Sequence, residues 1–188
     1  MNIDTSYNNS IFESFTPNKY KKYHNATEKL DKPKQFALDE PLGMLVIDHN
    51  VYFAGYSEDS TDDNPTIIIA DYKVHVNEVN PYNCTGVELF AWISHKKKTG
   101  EIPKKSGIDL FHQITAQADW ANDLGFGLNV HDANTLGTQK FNWVELMEKM
   151  RDLHMQSSAT YQQGLECDRI IYNLVKAYKQ KSTSICKK

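Results

Sequence analysis

Three ionisable residues, Asp71, Lys73 and His75, alternate along residues 66–76, a segment rich in β-branched side chains. Such side chains favour strands, and residues two apart on a strand lie on the same face. One continuous strand over this segment would therefore place the three groups on one face. A carboxylate beside an ammonium group can hold a divalent cation and stabilise a charged phosphate.

Asp48 precedes this segment, at the end of an earlier apolar run. An acid on one strand followed by an Asp-x-Lys pair on the next resembles the pattern of restriction-endonuclease-like enzymes, over residues 48–73. The resemblance implies that Asp48 and Asp71 bind Mg²⁺, that Lys73 stabilises the attacking water or the phosphorane, and that helices flank the sheet. The alternative interpretation is a half-exposed strand carrying a cross-strand ion pair.

A second set of candidate metal ligands shares one face of a predicted helix: Asp109, His112, Asp119 and Asp123. An Asp-x-x-His pair can bind a metal ion, and His131 and Asp132 in the following loop could complete the site. The alternative is an ordinary solvated helix face.

The cysteines Cys84, Cys167 and Cys186 are far apart and form no C-x-x-C motif, so neither a disulfide framework nor a thiolate zinc site is predicted. A reducing cytoplasm is the simplest compartment. Cys84 directly precedes a predicted helix start, where a thiolate would be stabilised, although an inert loop cysteine is the favoured interpretation.

Candidate binding residues are basic or aromatic and lie in two groups: Lys96, Lys97, Lys98, Lys104 and Lys105, and Tyr20 and Tyr23. The lysines could grip phosphates if they share a surface, or they could complement a helix dipole. The tyrosines belong to a segment that could become ordered on contact with a partner.

The composition indicates an ordinary globular domain. The chain has 188 residues, a hydrophobic fraction of 40%, a charged fraction of 24% and a formal net charge of −3. These values exclude wholesale disorder and give the whole chain no strong attraction to nucleic acid or acidic lipid. The apolar runs are far too short to span a membrane, and no secretory signal is visible at the N-terminus.

The pattern along the chain predicts an α+β fold in which strands come first and helices second. Residues 1–40 read as an extended arm with one short helix at residues 27–30, and residues 183–188 as a basic tail. Between them, residues 41–182 form a single domain. A three-stranded antiparallel meander is expected within residues 42–79, followed by about four helices packed on the sheet, with a short strand at residues 128–130.

The favoured functional hypothesis is a non-catalytic interaction protein: an adaptor, an inhibitor or an assembly component. In this hypothesis the protein binds a protein partner and needs no cofactor. Its Asn, Lys and Tyr usage is typical of proteins from phages and mobile elements. The first alternative is a Mg²⁺-dependent nuclease that uses Asp48, Asp71 and Lys73. The second is a nucleic-acid-binding module. The oligomeric state is left open.

Overall fold

The structure is a computed structural model that describes residues 27–29, 41–47, 50–104 and 109–185. Its strands are β1 (Thr27–Lys29), β2 (Gly43–Ile47), β3 (Asn50–Tyr56), β4 (Thr66–Ile69) and β5 (Tyr72–His75). Strands β2 to β5 form a four-stranded antiparallel meander, and β1 pairs with β5 at one edge, which gives the order β1-β5-β4-β3-β2. The predicted α+β class is confirmed, but the meander has one strand more than expected.

The additional strand arises because residues 66–76 are not one strand. Ile69 pairs with Tyr72, so Ala70 and Asp71 form a two-residue hairpin loop between β4 and β5. Ala70 has a φ of 54°, the left-handed conformation that tight hairpins require. Ala-Asp is a weak turn signal compared with Asn-Gly or Asp-Gly, which explains why the sequence pattern concealed this turn.

The short helix predicted at residues 27–30 is also wrong, because Thr27–Lys29 is a strand. One helical turn is not stable alone, whereas pairing with β5 gives these backbone groups hydrogen-bonding partners. The rest of the predicted arm, residues 1–26 and 30–40, lies outside the described residues, as do residues 186–188 of the predicted tail.

The two faces of the sheet differ in what covers them. The inner face carries Leu45, Ala54, Ile67, Ile69 and Val74, all of which are buried. Helix α1 (Gly86–Lys98) lies against β4 and β5 on this face, and Phe90 and Ser94 approach Gly43 of β2. The outer face carries Met44, Val46, Val51 and Phe53 on β2 and β3, all of which are exposed.

Helix α1 is the central helix of the domain. Thr85 caps its N-terminus with a complete capping box, in which the Glu88 backbone donates to Thr85 Oγ1 at 3.2 Å and the Glu88 carboxylate accepts from the Thr85 backbone at 2.7 Å. Apolar residues occur on all sides of the helix, and Leu89, Trp92 and Ile93 are fully buried. A helix buried on all sides is one that packs between two layers.

The remaining helices are α2 (Leu110–Asp123), α3 (Ala133–Thr138), α4 (Trp143–Met155) and α5 (Tyr161–Ile185). The predicted helices correspond to α1, α2, α4 and α5. The short helix α3 was not predicted, and the strand expected at residues 128–130 is absent.

Helices α4 and α5 pack mainly on each other and not on the sheet, so the expected packing of four helices on the sheet is only partly realised. Residues of α5 at helical spacing form its buried face: Gly164, Cys167, Ile170, Leu174 and Ala177. Trp143 anchors α4 to the start of α1, since its Nε1 donates to the Cys84 carbonyl at 2.9 Å. None of the described helices has the length and apolar content that a bilayer crossing requires.

Candidate functional site

The hairpin between β4 and β5 separates the residues of the predicted nuclease motif. Asp71 lies in the turn and lines a small cavity of about 260 Å³ beside inner-face residues, including Val87 of α1. Lys73 pairs with Ile68 in the register and lies on the outer face. The expected single face shared by Asp71, Lys73 and His75 is therefore not formed.

Lys73 has a partner in the loop between β3 and β4. Its Nζ lies 2.6 Å from Asp59 Oδ2, and Ser57 Oγ donates to the other carboxylate oxygen of Asp59. These two hydrogen bonds hold the pKa of Asp59 well below its usual range, and the bond from Lys73 has the larger effect. Lys73 is therefore paired with a carboxylate of a loop, whereas the alternative interpretation of the sequence placed its ion pair across two strands.

The third residue of the nuclease motif, Asp48, lies outside the described residues. Within the described residues, no three His, Cys, Asp or Glu side chains meet in a way that would hold a metal ion. The nuclease interpretation stays a prediction.

Four of the metal ligands predicted around α2 make contacts with other residues: Asp109, Asp119, His131 and Asp132. Asp109 caps α2, accepting from the Phe111 backbone, and also pairs with Lys97 at 2.5 Å. Asp119 and His131 do meet, at 3.2 Å between Oδ1 and Nε2, and Asp132 caps α3. One predicted pair is thus brought together, although as a partly exposed contact between two side chains.

Two of the described lysines of the predicted cluster have acidic partners. Lys96 is buried and both Glu101 carboxylate oxygens accept from its Nζ, at 2.9 and 2.7 Å, while Lys97 pairs with Asp109. Lys98 and Lys104 are exposed. The other predicted binding residues, Lys105, Tyr20 and Tyr23, lie outside the described residues.

Cys84 is fully buried, and burial raises the pKa of its thiol well above the usual value. Its backbone pairs with Phe141 in an isolated bridge. A buried thiol with a raised pKa is a poor nucleophile, so the geometry favours the interpretation of Cys84 as an inert residue.

The feature that the sequence reasoning missed is the apolar patch on the outer face, formed by two cross-strand pairs. Met44 pairs with Phe53, and Val46 with Val51, and the four side chains are 42–51% exposed. The run Met44-Leu45-Val46-Ile47 contained a signal for it. A strand without apolar/polar alternation has two apolar faces, of which the domain here covers only one.

No described strand covers the edge of the sheet beside this patch. Among the described strands β2 pairs only with β3, and the register between them is continuous from Gly43 to Ile47 without a bulge. Strand β2 contains no charged residue and no proline, which are the features that normally protect an edge strand. It therefore combines an apolar face with backbone groups available for pairing.

Comparison of the chain with protein-family models, with curated proteins and with solved structures finds no match.

Proposed function

We propose that this protein acts by binding another protein at the outer face of the β2–β3 hairpin and at the edge of β2 that no described strand pairs with. The observation that carries the proposal is the exposed patch of Met44, Val46, Val51 and Phe53. Contiguous apolar surface of this kind on a folded domain marks interaction sites, whereas scattered single apolar residues do not.

The chemistry of the patch defines the partner. An extended segment that pairs with β2 would gain main-chain hydrogen bonds along the edge, and its alternate side chains would continue the face of Met44 and Val46. The partner is therefore an extended peptide segment with apolar residues at alternate positions. Burial of Phe53 would give such a contact its largest apolar contribution.

The inner face holds the hairpin in place independently of any partner. Leu45 and Ala54 are buried beneath the same two strands, and Gly43 allows the Phe90 ring to approach the backbone of β2. A rigid strand presents its edge in a fixed geometry, which lowers the entropic cost of association. The site is thus suited to binding without a large rearrangement.

The test is affinity capture from the native host with quantitative mass spectrometry, in which the wild type is compared with the double variant Met44→Lys/Phe53→Lys. We expect the proteins enriched by the wild type to be lost from the double variant. Leu124→Lys is the matched control, because Leu124 is 43% exposed at the far end of α2.

Hydrogen exchange on the recovered complex provides the second measurement. Binding at the edge should slow exchange of β2 amides, since their N–H groups become paired. Equal recovery by the wild type and the double variant, or unchanged β2 exchange in the complex, would contradict the proposal.

The cytoplasmic location and the phage-like or mobile-element origin stay part of this proposal. The two alternatives have their own tests. Mg²⁺-dependent plasmid nicking by the wild type that Asp71→Ala abolishes would support the nuclease hypothesis in place of ours. Retention on a nucleic-acid column that falls steeply with added salt would support the nucleic-acid-binding hypothesis.

A further inference from the structure

Helix α5 has a second stripe, of mixed apolar and charged residues, on the side away from its buried face. Residues at helical spacing form it: Tyr161, Leu165, Asp168, Tyr172, Lys176 and Lys179. Tyr161, Leu165 and Tyr172 are 50%, 41% and 61% exposed, which is unusual for three large side chains aligned on one helix. From Tyr161 to Lys179 the stripe extends about 27 Å along the helix, at about 1.5 Å per residue.

The charges on this stripe are arranged symmetrically about Tyr172. Asp168 lies one turn before Tyr172 and Lys176 one turn after it, and no acidic residue follows Asp168 in the sequence. If two such helices meet antiparallel with the twofold axis at Tyr172, Asp168 of each copy faces Lys176 of the other. Leu165 then faces the aliphatic stem of Lys179.

We propose that α5 pairs antiparallel with α5 of a second copy of this chain, so that the protein forms a twofold-symmetric dimer with Tyr172 at its centre. A twofold interface must be self-complementary, and this stripe fulfils the condition in charge, with Asp168 opposite Lys176 and Tyr172 opposite its own copy. A parallel arrangement is disfavoured, because it would place Asp168 against Asp168 and Lys176 against Lys176.

The surroundings of Tyr172 support the same partner. A groove of about 840 Å³ opens beside the tyrosine, and its lining includes Tyr82, Ile171 and Val175. Side chains from the second helix could bury apolar surface there. Asp168 contacts Arg151 only at 3.4 Å and at the surface, and Lys176 lies 5.4 Å from the centre of the Tyr172 ring, so both charged groups remain near the stripe.

Sedimentation analysis of the full chain over a range of concentrations tests the dimer through charge reversal. Asp168→Lys alone, or Lys176→Asp alone, replaces two attractive pairs by two repulsive ones across the twofold axis. We expect each single variant to raise the dimer dissociation constant about tenfold. The double variant Asp168→Lys/Lys176→Asp restores opposite charges and should recover most of the wild-type affinity.

Two further variants separate the dimer from effects on folding. Asp152 is the other carboxylate that contacts Arg151, and it lies on α4, away from the stripe. Asp152→Lys should therefore leave the dimer dissociation constant unchanged. Tyr172→Ser should weaken the dimer without lowering the melting temperature of the diluted monomer, since the side chain is 61% exposed.

A wild type that stays monomeric at millimolar concentration would overturn the proposal. So would a dimer that neither single reversal weakens, or one that the double variant fails to restore, because its contact would then lie elsewhere. Binding of an acidic peptide to Lys176 and Lys179 in a protein that remains monomeric would assign the stripe to a different partner and would also overturn it.

Discussion

Neighbouring apolar residues on the two faces of the β2–β3 hairpin differ sharply in burial. Leu45 and Ala54 on the inner face are 2% and 0% exposed, whereas their sequence neighbours Met44 and Phe53 on the outer face are 47% and 42% exposed. The backbone, the register and the residue class are shared. The difference comes from α1, which covers one face only.

This contrast shows that the residue type of a strand predicts its ability to be buried but not its burial. An apolar side chain contributes to stability only when another element removes it from water. At β2 and β3 the outer face therefore contributes little to folding, whereas Ile68 of β4, on the same face, is 2% exposed. Substitutions on the two faces should therefore change the free energy of unfolding by very different amounts.

The largest expected effect is on the inner face. Ile67→Ala creates a cavity beneath α1 and should lower the free energy of unfolding by about 2–5 kcal/mol, because Ile67 is fully buried. Val51→Ala on the outer face should change it by less than about 0.5 kcal/mol. Urea denaturation followed by circular dichroism measures both.

Equal losses of unfolding free energy from Ile67→Ala and Val51→Ala would contradict the division into a covered and an open face. If Val51→Ala instead causes a large loss of unfolding free energy that depends on protein concentration, the result would show that a second copy of the chain buries the outer face.

The next largest effect is expected at helix α1, which covers the inner face. Thr85→Ala removes the side-chain oxygen that accepts from the Glu88 backbone, and Thr85 is only 3% exposed. The expected cost is about 1–2 kcal/mol, measured by the same denaturation experiment. Thr99→Ala, at the exposed C-terminal end of the same helix, is the control and should cost less; a cost as large as that of Thr85→Ala would contradict a special role for the buried cap.

The start of α1 was also the element that the sequence predicted best. Thr85 and Glu88 have the spacing of a capping box, and both reciprocal hydrogen bonds are present. The stripe of α4 that includes Met147, Met150 and His154 is buried as its period predicts. Local signals of this kind are reliable because all the interacting groups lie within one or two turns of chain.

The candidate sites could not be predicted in the same way, because they depend on distant residues. The turn at Ala70 is set by strand pairing, and it moves Asp71 away from Lys73. Lys96 occurs in a basic run that looks exposed, yet Glu101 and its surroundings bury it. The open outer face depends on which strands α1 does not reach, and no local pattern specifies that choice.

A third prediction extends the comparison to the helical layer, where a titratable group is buried. His154 is 2% exposed, its Nε2 lies 2.9 Å from Gln117 Oε1, and its Nδ1 has no hydrogen-bonding partner among the residues that the structure describes. Burial lowers the pKa of His154 below its usual value of 6.5. Below pH 6.5 the unfolded chain binds a proton that the folded chain resists, so stability should fall as the pH decreases from there towards the folded-state pKa.

Denaturation of the wild type and of His154→Gln at a series of pH values isolates this contribution. We expect the stability difference between the two proteins to shift in favour of the variant as the pH falls below 6.5. His131→Gln is the control, since the His131 side chain is 77% exposed. A stability difference that does not change with pH would show that His154 titrates alike in the folded and unfolded chains.

The smallest expected effect is that of the Lys73–Asp59 ion pair on the outer face. Lys73→Met removes a contact at 2.6 Å, but the Asp59 side chain is 66% exposed, so water and salt compensate for most of the loss. The shift in the urea midpoint should be smaller than that of Thr85→Ala, and it should disappear in about 1 M salt because of screening. Lys149→Met, which removes an exposed pair with Glu145 on α4, is the matched control. A loss of stability from Lys73→Met that persists at high salt would mean that the loop carrying Asp59 is part of the core. The open part of the outer face would then be confined to β2 and β3.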